Sequence, residues 1–211
     1  MTSLFAVEQD DSAEGGGVLT GIAIAQVTKN DDDSGLARVK VSFPWHDNPD
    51  ETHWARVLTP MAGAARGLLL IPEVGDEVAV LADRGSIEHL YVIGSLWNGV
   101  DRPPANPADN KNDIRKLTSR SGHELIFDDA DDGGVEIHHQ SGTRLHITEE
   151  RVEIDTAGNT IVVDGGSGEV SIRSNSAISL EASRISLNAQ SRLSLTSSGQ
   201  VEIRGTTVSI N

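Results

Sequence analysis

The 211-residue sequence contains no cysteine, which excludes a disulfide scaffold, a thiolate metal site and a cysteine nucleophile. Aromatic residues are scarce as well, at 3% of the chain, so the interior is expected to be built from Val, Ile and Leu. No apolar run approaches the ~20 residues that a helix needs to cross a bilayer, which excludes a helical membrane protein. The opening stretch MTSLFAVEQDDSAEGGG has neither a basic start nor an apolar core, so no signal peptide is expected. Bases are outnumbered by acids, 17 to 32, for a formal net charge of -15. Nucleic-acid binding through phosphates needs clustered Lys and Arg, and no such partner is expected.

What is present is unevenly spread. Residues 1–164 hold 29 of the acids and 13 of the bases, whereas residues 165–211 hold three acids (Glu169, Glu181, Glu202) and four Arg. Over the same break the composition moves towards Ser, Ile, Leu and Gly. A second break, DRPPANPADNKND at 101–113, is too rich in Pro, Asn and Asp for a strand or a helix. These breaks divide the chain into a flexible acidic arm over 1–17, a compact domain over 18–100, a linker over 101–113 and a tail over 114–211.

The compact domain reads as all-β. Short apolar stretches recur between turn signals: GIAIAQVT, ARVKVSF, HWARVLTP, RGLLLIPEV, DEVAVLAD and HLYVIGSLW. Several alternate strictly, as Val39, Val41 and Phe43 do, which marks half-buried strands. In IPEVGDEV, Pro72 closes one strand and Gly75 supplies the positive φ of a tight turn. Five or six short strands in so few residues fit a small closed barrel of the OB type, with a β-sandwich as the alternative.

The tail is a repeat of apolar–x–apolar pairs: Leu125/Phe127, Val135/Ile137, Leu145/Ile147, Val152/Ile154, Ile161/Val163, Val170/Ile172, Ile178/Leu180, Ile185/Leu187, Leu193/Leu195, Val201/Ile203 and Val208/Ile210. From Val152 to Val208 the mean spacing is eight residues. Each unit predicts a three-residue strand with one apolar face, followed by a polar corner. Such a unit cannot bury its two apolar side chains alone and needs neighbours to complete a core. A single-chain solenoid is one solution, but the Asn stacks, aromatic ladders and long loops expected of it are missing. Three chains wound about one axis are simpler, each contributing one face to a dry interior.

Together these stretches resemble a known family. VKVSFPW, WARV, IPEVGDEV and VIGSLWNG stand in the order and spacing of the OB-fold domain of phage baseplate protein V and of VgrG spikes, and KLTSRSGHELIFDD is similar to that family's entry into its triple-stranded β-helix. The resemblance runs over most of the chain beyond the arm. It implies an all-β protein with a small OB-fold barrel followed by an intertwined trimeric β-helix rod. The implied role is the central spike of a contractile injection machine, non-enzymatic and without cofactor. Its partners would be two further copies, a separate baseplate hub protein and the target envelope. Such a spike would assemble in the cytoplasm into a baseplate or virion-like particle and reach the outside or the target envelope on contraction.

Three departures from the family sharpen these expectations. Only about 20 residues precede the barrel, where many VgrG chains carry a large hub domain, so a separate hub is expected. The linker leaves no room for the lysozyme domain of some phage spikes. The ending RGTTVSIN lacks the metal-binding His-x-His tip of some short spikes. Family members without that tip are commonly capped by a cone-shaped PAAR-repeat protein, and Thr206, Thr207, Val208, Ser209, Ile210 and Asn211 are the expected docking segment.

Other candidate residues are few. Trp45, Trp54 and Trp97 are the only Trp residues, each beside a predicted strand end, and are read as barrel caps or subunit contacts with no basic groove beside them. His138, His139 and His146 sit where the rod begins. His139 shares parity with Val135 and Ile137 and is the one candidate metal ligand, against the plainer reading of a hydrogen-bonded surface His. Asp128, Asp129, Asp131 and Asp132 do not match an EF-hand loop, because Ala130 occupies a ligand position. They read as an acidic turn, and Asp31, Asp32 and Asp33 as a solvated hairpin tip. No nucleophile elbow or phosphate-cradling glycine loop occurs, so no catalytic residue is expected. The alternative is a β-solenoid protein that binds or degrades polysaccharide, which needs paired carboxylates along one face. The three acids left after Asp164 speak against it.

Overall fold

A computed structural model describes residues 19–45, 53–106 and 111–210. The acidic arm and Asn211 lie outside the described residues. The chain divides into two compact units, one up to Asn106 and one from Pro107.

The first unit is a closed barrel. Its strands are β1 (Ile22–Lys29), β2 (Arg38–Ser42), β3 (His53–Val57), β6 (Glu77–Asp83) and β7 (Ser86–Ser95), in the order β1-β2-β3-β7-β6. All neighbours pair antiparallel except β3 and β7, which run parallel. Five strands closed in this way form the OB-like barrel that the sequence predicts. A two-stranded hairpin, β4 (Ala62–Gly63) and β5 (Arg66–Gly67), stands between β3 and β6.

The period-two alternation sets the inside of the barrel. On β1, Ala23, Ala25 and Val27 are buried, while Ile22 and Ile24 face outwards. Val39, Val41, Phe43, Ala55, Val78, Val80, Ala82, Leu90 and Val92 complete the core, which holds no polar residue among those described. The core is thus chiefly Val and Ala, not the Val, Ile and Leu expected from the lack of aromatics. A five-stranded barrel is narrow, and small side chains fill it. The stretch RGLLLIPEV also departs from expectation: only Arg66–Gly67 is strand, and Leu68, Leu69 and Leu70 are exposed. That run lacks alternation and pairs with no barrel strand, although Ile71 packs against the barrel core. Gly75 does have positive φ, at 100°, and its N–H donates to the Val27 carbonyl at 2.8 Å.

The second unit contains one seven-stranded antiparallel meander. Its strands are β8 (Ile114–Thr118), β9 (Glu124–Asp128), β10 (Gly134–His138), β11 (Arg144–Ile147), β12 (Arg151–Thr156), β13 (Asn159–Asp164) and β14 (Glu169–Ser174), each paired with the next. The three-residue strands of the sequence reading are four to six residues long here, because the ladders run on through the flanking polar residues. Among the described residues after Ser174 there is no strand.

Candidate functional site

The meander brings the sequence-predicted apolar pairs into two continuous cross-strand rows. One row runs Leu117, Leu125, Ile137, Leu145, Ile154, Ile161, Ile172. The other runs Phe127, Val135, Ile147, Val152, Val163, Val170. Because side chains alternate along a strand, both rows share one face of the sheet. The burial expected of these residues is not met within a single chain: Val152 is 38% exposed and Val170 65%, and Ile154, Ile161, Val163 and Ile172 are exposed as well. Aromatic and β-branched neighbours opposite one another stabilise a sheet, but so large an apolar face is out of place against water.

The opposite face is polar and internally paired. Its central row is Lys116, Ile126, Glu136, His146, Glu153, Val162, Ser171. Lys116 bridges to Glu124 at 2.6 Å, and Arg151 to Glu153 at 3.2 Å and Asp164 at 3.4 Å. His138 lies between Glu124 and Glu136, while His146 meets Glu136 at 3.4 Å. In the β13–β14 turn the Ser167 N–H donates to the Asp164 carboxylate at 2.8 Å. That bond, with the Ser167 hydroxyl and Arg151, holds the Asp164 carboxyl below the usual carboxylate range. One face of the sheet thus pairs most of its polar side chains with one another, while the other leaves its apolar rows exposed.

His139 lies in the turn beyond β10. Its ring meets His123 of the preceding hairpin turn at 4.5 Å, and its Nδ1 is bonded to the Ser141 hydroxyl at 2.7 Å. Among the described residues no three His or acidic side chains converge on a metal-sized site. Asp128 accepts from the Ala130 N–H at 3.0 Å within the β9–β10 turn, and Asp129 pairs with Arg115.

The later pairs depart further from the sequence reading. Ile178 and Leu180, Ile185 and Leu187, Leu193 and Leu195, Val201 and Ile203, and Val208 and Ile210 all lie outside any strand. One chain forms no strand ladder there, and the residues expected in the core of a three-chain rod are exposed in the single chain. Leu180 is 70% exposed, Leu195 64% and Ile203 64%, and their partners Ile178, Leu193 and Val201 are exposed too. The physical reason is the one that the repeat carries in itself. A two-residue apolar face has nothing to pack on until a neighbour is laid against it, and one chain lays none beyond Ser174. Of the expected tip segment, Thr206, Thr207, Val208, Ser209 and Ile210 are exposed, and Asn211 lies outside the described residues.

In the barrel unit no Trp belongs to the core. Trp45 is exposed and stacks on the buried Phe43 at 4.8 Å, and Trp97 is exposed just after β7. Trp54 is the second residue of β3 and half-buried. The expectation of no basic groove is corrected there: Arg38, Lys40 and Lys29 stand 4.9, 5.4 and 5.9 Å from its ring. The cations were missed because Arg38/Lys40 and Trp54/Arg56 alternate on two separate strands, and only the register brings them together. At the acidic hairpin tip Asp31 and Asp33 are exposed as expected, and only Asp32 departs from that reading. Asp32 is almost wholly covered, at 3% side-chain exposure, and Arg38 donates to both its oxygens at 2.8 and 3.0 Å. That guanidinium holds the Asp32 carboxyl far below the carboxylate range.

Comparison with known proteins bears on both units. Residues 23–97 match the type VI secretion system/phage-baseplate injector OB domain. The chain is 39% identical over 79 residues to the type VI secretion system spike protein VgrG2a of Pseudomonas aeruginosa, a match covering 35% of this chain and 9% of that relative. It is 28% identical over 138 residues to the spike protein VgrG3 of Vibrio cholerae, covering 61% of this chain and 14% of the relative. It is 29% identical over 100 residues to the actin cross-linking toxin VgrG1 of Vibrio cholerae, covering 44% of this chain and 9% of the relative. The matched stretches thus span a small fraction of these relatives' own lengths.

Proposed function

We propose that the chain is a structural spike subunit of a contractile injection machine, a reading supported by the match of residues 23–97 to the type VI secretion system/phage-baseplate injector OB domain. Three copies assemble through their tails, and the protein carries no catalysis of its own. The observation that carries this reading is the pair of apolar rows, unburied in one chain, continued by exposed apolar pairs as far as Ile210. Removing such a surface from water is worth ~25 cal/mol per Å² of apolar area, and two further copies of the same surface supply it by symmetry. A stiff apolar-cored rod suits force transmission into a target envelope, and the barrel provides a separate folded surface for a hub protein. The exposed residues 206–210 suit a cone-shaped PAAR-type cap held by apolar contact. Assembly takes place in the cytoplasm, with passage outwards on contraction.

The test is affinity purification from cells producing the whole machine. The full chain should recover a ring-forming hub and a cap, and truncation after Gly205 should lose the cap alone. Recovery of the hub by the tail without the barrel, or of the cap by the truncated chain, contradicts the assignment.

A further inference from the structure

The β4–β5 hairpin and the run that follows it stand outside the ladder of the closed barrel. Leu68, Leu69 and Leu70 are exposed, Leu69 at 72%, and so is Met61 just before β4. Three consecutive exposed apolar residues call for a functional reason, and exposed apolar patches mark interaction sites. This run is held in place. Ala62 pairs with Gly67 and Gly63 with Arg66. The Leu68 N–H donates to the Met61 carbonyl at 3.0 Å, and the Thr59 hydroxyl donates to the Leu68 carbonyl at 2.6 Å. Gly67 permits the close approach, since a Cβ there would lie 2.6 Å from the Met61 carbonyl oxygen. At the far end of the run Ile71 packs against the barrel core. The leucines therefore meet water on a backbone anchored at both ends, and their exposure is not that of a frayed loop.

Charge indicates what covers them. Residues 57–72 contain a single charged side chain, Arg66, in a chain that is 23% charged and carries a net charge of -15. Copies of so acidic a chain repel one another, and they meet most readily where charge is sparse. A different partner of an acidic protein would draw on its charge, which this stretch does not offer. An apolar surface is also complementary to itself, as contact between identical copies about a symmetry axis requires. We propose that the hairpin is a contact between barrels, in which three copies set Met61, Leu68, Leu69 and Leu70 against one another around a threefold axis. The inference rests on the trimeric reading given above, because joined tails would hold the barrels at an effective concentration of about millimolar. Four apolar side chains supply well under the ~800 Å² per partner of a stable interface. The contact therefore follows assembly of the tails, and each barrel folds without it.

The chain has no cysteine, so one introduced thiol reports on its own position. The full chain carrying Leu69→Cys is compared with the full chain carrying Leu36→Cys, an exposed position elsewhere on the barrel unit. Sedimentation first gives the mass of each, and copper phenanthroline then oxidises the thiols. A disulfide forms only where Cα atoms come within ~7 Å. The Leu69→Cys trimer should yield disulfide-linked dimers, up to about two thirds of the chains, because three thiols on an axis make one bridge. The Leu36→Cys trimer should yield about tenfold less, and the oxidised particles should still sediment as trimers. A trimer in which the thiol at position 69 stays unlinked, or links no better than that at position 36, overturns the inference and leaves the trimeric reading standing. So does a thiol at position 69 that is shielded from a maleimide yet unlinked, which would assign the leucines to another occupant, or linkage that joins one trimer to the next. A monomer before oxidation overturns both.

Discussion

The barrel and the tail are built from the same kind of strand, yet they stand differently towards water. In the barrel, β1, β2 and β6 bend round so that Val39, Val41, Val78 and Val80 are fully removed from solvent by the chain itself. In the tail, β8 to β14 lie side by side with equally regular alternation, and the apolar side chains so aligned remain exposed. Closure makes the difference: a barrel supplies both walls of its core, whereas a meander supplies one. The barrel's core is therefore completed by one chain, and under the proposed assembly the tail's stability depends on protein concentration.

The largest effect should come from charge placed among the tail's later pairs. In the proposed trimer Ile185→Asp with Leu187→Asp would set six carboxylates inside the rod, and unpaired buried charge is expensive enough to prevent assembly. Loss of the trimer by sedimentation, with the barrel still folded, is the expected result. Unchanged trimers with unchanged thermal stability would show that these residues do not face inwards.

Next comes the barrel core. Leu90 is 2% exposed, and Leu90→Ala should destabilise the barrel by ~2–5 kcal/mol. Denaturant titration should give that loss at every protein concentration. A concentration-dependent loss would mean that the barrel, too, is completed by another copy.

A smaller effect, confined to the tail, is expected at Gly134. A Cβ there would run into the Ile147 carbonyl of the neighbouring strand, so Gly134→Ala should weaken the β10–β11 ladder by ~1–3 kcal/mol. Hydrogen exchange should speed up in β10 and β11 and leave β1 to β7 unchanged. Acceleration in the barrel would break the separation of the two units.

The smallest effect is electrostatic and belongs to the barrel. Arg38 lowers the Asp32 pKa in the folded state, so the group contributes stability that is present above the ordinary Asp pKa of ~3.9 and is lost as pH falls below it. The melting temperatures of the parent chain and of Asp32→Asn should differ at neutral pH and converge as the solution is acidified. A difference that stays constant down to the acid limit would assign the effect to hydrogen-bond geometry instead of charge.

The barrel was legible because strict alternation at Val39, Val41 and Phe43, or at Val78 and Val80, marks an inside and an outside. Its finer content was not. Ile22 and Ile24 are as apolar as a core residue can be, and only closure of a narrow barrel explains why Ala23 and Ala25 take the inner positions. The tail's pairs were legible for the same period-two reason. Spacing alone does not say whether the neighbouring strand comes from the same chain, since either arrangement puts alternate residues on one face. For residues 114–174 the neighbour is the same chain. For Leu180, Leu195 and Ile203 one chain supplies no neighbour at all, which a pattern of apolar pairs cannot reveal. The groove at Trp54 and the covered Asp32 depend on which residue stands opposite which, and register is set by turns and bulges that composition does not report.

The central claim, that the apolar face of the tail is completed by other copies while the barrel needs none, is tested most directly by the mass of the full chain in solution. Sedimentation equilibrium over a wide concentration range should give a trimer. A monomer at all concentrations, with the tail still folded by hydrogen exchange, would contradict it.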